Sequence, residues 1–292
     1  MRGKIDGIEG IDGIGILLFL ALTFGATIAV SVILWIKGIA LAGPSLEGQL
    51  AIAGAMFFPG ISSLIARRLR GEGLEDAGIT WGPRRLYLQA YVIILAIFTA
   101  AYGLTTILFT RPDFTLSIFS QTYGIALPTN HDLILLAVFI TTITIAPIFN
   151  TIPAFGEELG WRGFLLPKLL PLGETRALTI SGIIWGLWHA PFVILLGFHY
   201  PAHRAEGVLL FTTIVMLFGI YVGYLRLASG STILAAFAHG MFNSQFYGVW
   251  QLIFPNADPL LGGVTGLTGI AVLLPLAAWV LKKRTKDITT SD

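Results

Sequence analysis

Two adjacent carboxylates and an arginine stand inside an apolar stretch, NTIPAFGEELGWRGFLLPKLL, at 150–170. An ionised side chain in hydrocarbon is costly unless it is paired or functional. Glu158 and Arg162 are four residues apart and share one helix face, whereas Glu157 points about 100° further round the helix. The two carboxylates are therefore predicted to have different tasks: one reaches into a pocket while the other pairs locally.

Two further segments carry polar side chains at the same spacing. WGLWHAPF places Trp185 four residues before His189, and FAHGMFNSQF places His239 four residues before Asn243. Each pair shares a helix face, and the helical rise puts all three segments at similar depths on one side of a bundle. Taken singly, these features also fit a structural ion pair and packed histidines. Their shared depth favours an acid–base active site.

Composition defines the solvent and limits the chemistry. The 292 residues are 55% hydrophobic and 12% charged, with a mean hydropathy of +0.81, so lipid must surround most of the chain. The net charge is +2 and the basic residues are dispersed, which argues against nucleic acid as a partner. Cysteine is absent, and no serine stands in a nucleophile pattern. Water is therefore the predicted nucleophile.

Apolar runs predict an all-α, polytopic membrane helix bundle, because about 20 apolar residues span a bilayer. The whole chain, 1–292, is interpreted as a single integral membrane domain. The fourth helix is expected to continue through Arg162 as far as Pro167. We expect about eight transmembrane helices, near 14–36, 49–66, 87–110, 133–155, 177–197, 207–225, 231–252 and 263–281.

The distribution of basic residues predicts an orientation. With the N-terminus inside, 15 of the 18 Lys and Arg residues fall on the cytoplasmic side. Both termini are then cytoplasmic, and the pocket is expected to open toward the cytoplasm. On the same reasoning His131, His199 and His203 fall in outer loops and are predicted to be solvated.

The segments EELGWR, WGLWH and HGMFN resemble, in order and spacing, the three motifs of the CPBP intramembrane proteases. That family includes the CAAX prenyl endopeptidases and bacteriocin-processing or abortive-infection proteins. The similarity extends over about 150–247, within a catalytic core expected at about 133–255. Trp185 is a departure, since phenylalanine is usual there in the family.

The resemblance implies a membrane-embedded endopeptidase that works with activated water. It assigns Glu157 as general base, with His189 holding and polarising the water. His239 and Asn243 are expected to donate hydrogen bonds to the oxyanion. The pair Glu158 and Arg162 is expected to orient the site or to grip the terminal carboxylate of the substrate, and Trp185 flanks the pocket.

Several alternatives stay open at this point. Glu157, His189 and His239 are also an adequate ligand set for zinc, although the HExxH signature is missing and we favour catalysis without a cofactor. A non-catalytic immunity or scaffold protein of the same family is the competing class. The expected partners are membrane lipid and a peptide or protein substrate, with prenylation of that substrate left open. The expected location is the plasma membrane of a prokaryote.

Overall fold

A computed structural model describes residues 11–41, 46–124, 126–128 and 130–289. Arg2, Lys4 and the outer limits of the predicted domain 1–292 lie outside the described residues. The described chain is all-α and contains no strand, which confirms the predicted class. Its helices are α1 Gly13–Ile36, α2 Leu46–Ala55, α3 Phe58–Arg70, α4 Arg84–Leu108, α5 Ser117–Tyr123, α6 His131–Ile143, α7 Ala146–Gly160, α8 Leu166–Leu169, α9 Glu174–Trp188, α10 Ala190–Leu196, α11 Arg204–Ser229, α12 Thr232–Phe246, α13 Val249–Ile253 and α14 Leu267–Thr289.

Within the described residues, five helical segments are long and apolar enough to cross a membrane. They are Gly13–Ile36, Glu47–Arg70, Arg84–Leu108, Glu174–Leu196 and Arg204–Ser229. A sixth span is counted if α6 and the helical stretch Ala146–Leu172, which meet at a bend of 47°, form one broken helix. The predicted count of eight therefore stays a prediction. The two remaining segments correspond to α12, which has only 15 residues, and to α14.

The alternation of the helices gives the bundle two ends. At one end α3, α8 and α11 finish and α4, α9 and α12 begin. We call this the basic end, because Arg67, Lys168 and Arg226 lie there. The other end carries the connections that follow α1, α4, α10 and α12, and we call it the loop end.

Polar contacts close the basic end. Arg67 is buried; it donates hydrogen bonds to the carbonyls of Gly73 (2.6 Å) and Gly163 (2.8 Å) and forms an ion pair with Asp76. Lys168 donates to Asp12 at 2.9 Å and to Glu72 at 2.8 Å. Burial alone would raise the pKa of Asp12, but hydrogen bonds from Lys168 and the Gly15 N–H lower it below its usual value. These contacts fix the chain directly after the EELGWR segment.

Close helix packing brings the three motif segments together. A Cβ atom on Gly240 of α12 would lie 2.5 Å from the backbone nitrogen of Thr151 in α7, so only glycine permits this approach. Gly186 of α9 likewise lies against the backbone of Thr212 in α11. Because the backbones approach so closely, side chains on α7, α9 and α12 reach one another across the centre of the bundle.

Candidate active site

Glu158 and Arg162 form a fully buried ion pair at the centre of the bundle. Their side chains are 0% and 1% exposed, and Arg162 Nη1 lies 2.9 Å from Glu158 Oε1 and 2.8 Å from Oε2. Nη2 of Arg162 donates to the Gly219 carbonyl at 3.2 Å. His239 Nδ1 lies 2.9 Å from the same carboxylate oxygen, Glu158 Oε1. Glu158 is therefore the local pairing partner that the sequence predicts.

The helical stretch that carries these residues continues through Arg162, as the sequence predicts, but it is not α-helical throughout. Residues Trp161–Leu165 form a single π-helical turn between α7 and α8. π-Helical turns are rare and occur frequently at functional sites. This turn contains Arg162, and the guanidinium carbon lies 4.3 Å from the centroid of the Trp185 ring.

Glu157 lies on a different face of α7, as its angular position predicts. Its side chain is 2% exposed, and Oε2 accepts a hydrogen bond of 2.7 Å from the indole N–H of Trp185. Unlike Glu158, it lines a cavity. The structure thus separates the two carboxylates into one that faces the cavity and one that pairs inside the bundle.

His189 stands at the break between α9 and α10, two residues before Pro191. A proline at the start of a helix lacks the N–H that a continuing helix would need, so the chain turns at this point. His189 Nδ1 lies 2.9 Å from the Trp185 carbonyl oxygen. Since a carbonyl only accepts, Nδ1 must carry the proton, and Nε2 of the neutral ring keeps its lone pair.

The same reasoning gives the position of the proton on His239, which belongs to α12. Its Nδ1 faces the Glu158 carboxylate, which also only accepts, so Nδ1–H is the donor. Asn243 lies four residues further along the same face, and its carboxamide makes no hydrogen bond to the described residues. The ring of His239 and the amide of Asn243 both line the cavity that contains Glu157 and His189.

Trp185 contacts Glu157, both histidines and Arg162. Besides its bond to Glu157, its ring lies 5.0 Å from the His239 ring, edge to face, and its carbonyl holds His189. The sequence identifies Trp185 only as an aromatic flank of the pocket. Its indole N–H has a further role, because a phenylalanine at this position has no donor to offer Glu157.

Two connected cavities lead to the cluster. The inner cavity, about 70 Å³, contains Glu157, His189 and His239, and its other walls are mainly aromatic, including Phe192, Phe198, Phe211, Phe218, Phe242 and Phe246. The outer cavity, about 570 Å³, is lined by residues such as Leu41, Gln49 and Gln251. The two cavities share His199, Asn243 and Tyr247.

The outer cavity lies at the loop end, which corrects one prediction. Leu41 follows α1, Gln49 belongs to the first turn of α2, and Gln251 lies in α13, all far from the basic end. The expectation that the pocket opens on the side carrying most basic residues is therefore wrong. Its cause is packing: Arg67 and Lys168 close the basic end, whereas the loop end contains the outer cavity.

His199 is a cavity residue that sequence reasoning missed. It does lie in the connection between α10 and α11, but it is half-buried and lines both cavities instead of facing solvent. The available signal was its setting in FHY, where aromatic residues flank it inside a loop. Arg162, in contrast, lines neither cavity, so the alternative of gripping a substrate carboxylate does not fit its position.

A zinc site needs at least three protein side chains placed around one point. Among the described residues, no group of three His, Asp or Glu side chains is placed to hold one metal ion. Glu157, His189 and His239 line the same cavity without forming such a group. The residues present thus do not fit a three-ligand zinc site, and no step is assigned to a metal.

The fold and this cluster define an all-α integral membrane protein with paired carboxylates and two imidazoles beside an aromatic cavity. Residues 132–245 match a family described as type II CAAX prenyl endopeptidase Rce1-like. That stretch contains EELGWR, WGLWH and HGMFN, so the resemblance to the CPBP intramembrane proteases is confirmed for this part of the chain. The chain is thus similar to a protease family over residues 132–245. A comparison with curated proteins finds no match.

Proposed function

We propose that the protein is an intramembrane endopeptidase that hydrolyses a peptide bond with water activated by Glu157 and His189. The observation that carries the proposal is the placement of the Glu157 carboxylate and the two imidazoles, His189 and His239, on one cavity inside the bundle. The family match over 132–245 supports the same class of reaction. The proposal includes one membrane domain with its catalytic core at about 133–255.

In the proposed reaction, Glu157 takes a proton from water while the water oxygen attacks the carbonyl carbon. His189 Nε2 accepts a hydrogen bond from the second hydrogen of the water, which stays on the attacking oxygen, and thereby orients the nucleophile. The Trp185 N–H fixes Glu157 Oε2. When the carbon–nitrogen bond breaks, Glu157 returns its proton to the leaving amine, which balances the hydrolysis.

His239 and Asn243 are proposed to stabilise the oxyanion. The Asn243 amide can donate directly. His239 can donate from Nε2 only as an imidazolium, because its Nδ1–H already faces Glu158. As an imidazolium, His239 would be paired with the Glu158 carboxylate and would place a positive charge beside the oxyanion. Glu158 and Arg162 thus act as orienting residues.

A peptide assay after stringent chelation tests this function. Purified protein in lipid should cleave a peptide at one bond and stay active without added metal. We expect a lower KM for a prenylated peptide than for its unprenylated counterpart, because the outer cavity is large and largely apolar. Product masses identify the bond. Two results together would overturn the metal-free mechanism: stoichiometric zinc in the purified protein, and loss of activity on chelation that added zinc restores.

Orientation in the membrane is a separate proposal. The basic residues favour a cytoplasmic basic end and cytoplasmic termini, which places the outer cavity at the opposite membrane face. A prenylated protein made in the cytoplasm could reach the outer cavity only if the membrane protein had the reverse orientation. The earlier expectation of cleavage near the cytoplasmic face is therefore incompatible with this orientation.

Cysteine labelling decides the orientation cleanly, because the chain has no native cysteine. We expect Leu74→Cys, at the basic end, to react with a membrane-impermeant maleimide only after the cells are opened. Asn256→Cys, exposed at the loop end, should react in intact cells. The opposite pattern would place the outer cavity at the cytoplasm and reject the proposed topology.

A further inference from the structure

The residues at the junction of the two cavities include three that can form hydrogen bonds: His199, Asn243 and Tyr247. A substrate chain that extends from the outer cavity to Glu157 must pass them. Asn243 and Tyr247 continue the helical face of His239, whereas His199 approaches from the connection between α10 and α11. His199 has no part in the mechanism above.

His199 is held rigidly although it lies in a connection. Its ring packs edge to face on Phe246 at 4.6 Å and contacts Phe211 at 5.2 Å. Its backbone is left-handed, with φ of 61°, a conformation that few non-glycine residues adopt and that often marks functional positions. Packing therefore fixes the imidazole at the junction.

The ring nitrogens of His199 are unused. Neither makes a hydrogen bond to any of the described residues, although aromatic rings surround the side chain. Burial, with a smaller contribution from His189, lowers the pKa of His199 to about 3. The ring is thus neutral at physiological pH and offers one N–H donor and one acceptor.

The types of side chain that line the two cavities limit how a ligand can be bound there. Among the described residues that line the two cavities there is no Lys or Arg. A substrate oxygen at the junction must therefore be bound by neutral donors. We propose that His199 is a substrate-binding residue that donates a hydrogen bond to a peptide oxygen, either the C-terminal carboxylate or a main-chain carbonyl.

The choice of a peptide as ligand rests on the proposed function, so the test measures binding apart from cleavage. Fluorescence anisotropy in lipid nanodiscs would compare Glu157→Gln with Glu157→Gln/His199→Phe, which keeps a ring but removes both nitrogens. We expect the second substitution to weaken binding of a labelled peptide about 5- to 10-fold, the usual value of one hydrogen bond. His203→Phe in the same connection is the control, because His203 lines neither cavity, and it should leave binding unchanged.

The two oxygen sources are separated by comparing a peptide acid with its C-terminal amide. If His199→Phe weakens binding of the acid more than binding of the amide, the ligand is the C-terminal carboxylate. If both peptides lose the same affinity, the ligand is a main-chain carbonyl. His199→Asn tolerates the left-handed backbone and keeps a donor, so it should retain more affinity than His199→Phe. Unchanged binding in His199→Phe, an equal loss in His203→Phe, or no peptide binding at all would overturn the inference. Binding without cleavage by the parent protein would instead reject the proposed function.

Discussion

Replacement of Glu157 by glutamine is expected to lower kcat for peptide cleavage by about 100-fold or more, the range of general-base contributions. The carboxamide cannot accept the proton from water, but its oxygen can still accept the Trp185 N–H bond now made at 2.7 Å. The variant should therefore extract and melt like the parent. Steady-state kinetics and thermal unfolding in lipid measure the two properties.

Glu206→Gln is the matched control for this experiment. Glu206 is an exposed carboxylate in the first turn of α11, and its loss should change neither rate nor stability. Parent-like turnover by Glu157→Gln would remove Glu157 as the base. A parallel loss in Glu206→Gln would show that the assay responds to charge in general.

Replacement of Arg162 by methionine is expected to give the largest loss of stability, about 3–5 kcal/mol, because it leaves Glu158 charged and buried without its closest partner. Adding Glu158→Gln should recover part of that loss, since removing both charges is far less costly than removing one. Equilibrium unfolding in detergent micelles, followed by tryptophan fluorescence, measures both variants.

Arg85→Met provides the control for Arg162, because Arg85 is exposed at the start of α4. It should unfold like the parent. If Arg162→Met also unfolds like the parent, the buried ion pair makes no net contribution to the free energy of unfolding. If the double variant is less stable than Arg162→Met, the assumed charge on Glu158 is wrong.

The local chemistry of the site could be predicted from the sequence because it follows helical geometry. The i,i+4 spacing correctly joins Glu158 to Arg162, and the angular offset correctly separates Glu157 from that pair. The apolar runs indicate the helices for the same reason. His239 meets Glu158 across two helices, a contact that similar depth suggested but spacing alone could not fix.

Features that depend on packing between distant segments could not be predicted. The direction of the opening follows from Arg67, whose bond to Gly163 spans 96 residues, and no local pattern reports such a contact. His199 enters the cavity because Phe211 and Phe246, on other helices, pack against its ring. The π-helical turn after Gly160 likewise has no signal in the apolar periodicity.

The most direct measurement for the central claim is mass spectrometry of one defined peptide incubated in lipid with the parent protein and, side by side, with Glu157→Gln. Cleavage by Glu157-activated water predicts two fragments from the parent whose masses sum to the peptide plus one water, and intact peptide from Glu157→Gln. Intact peptide from a folded parent that binds it, or the same two fragments from Glu157→Gln, would contradict the assignment.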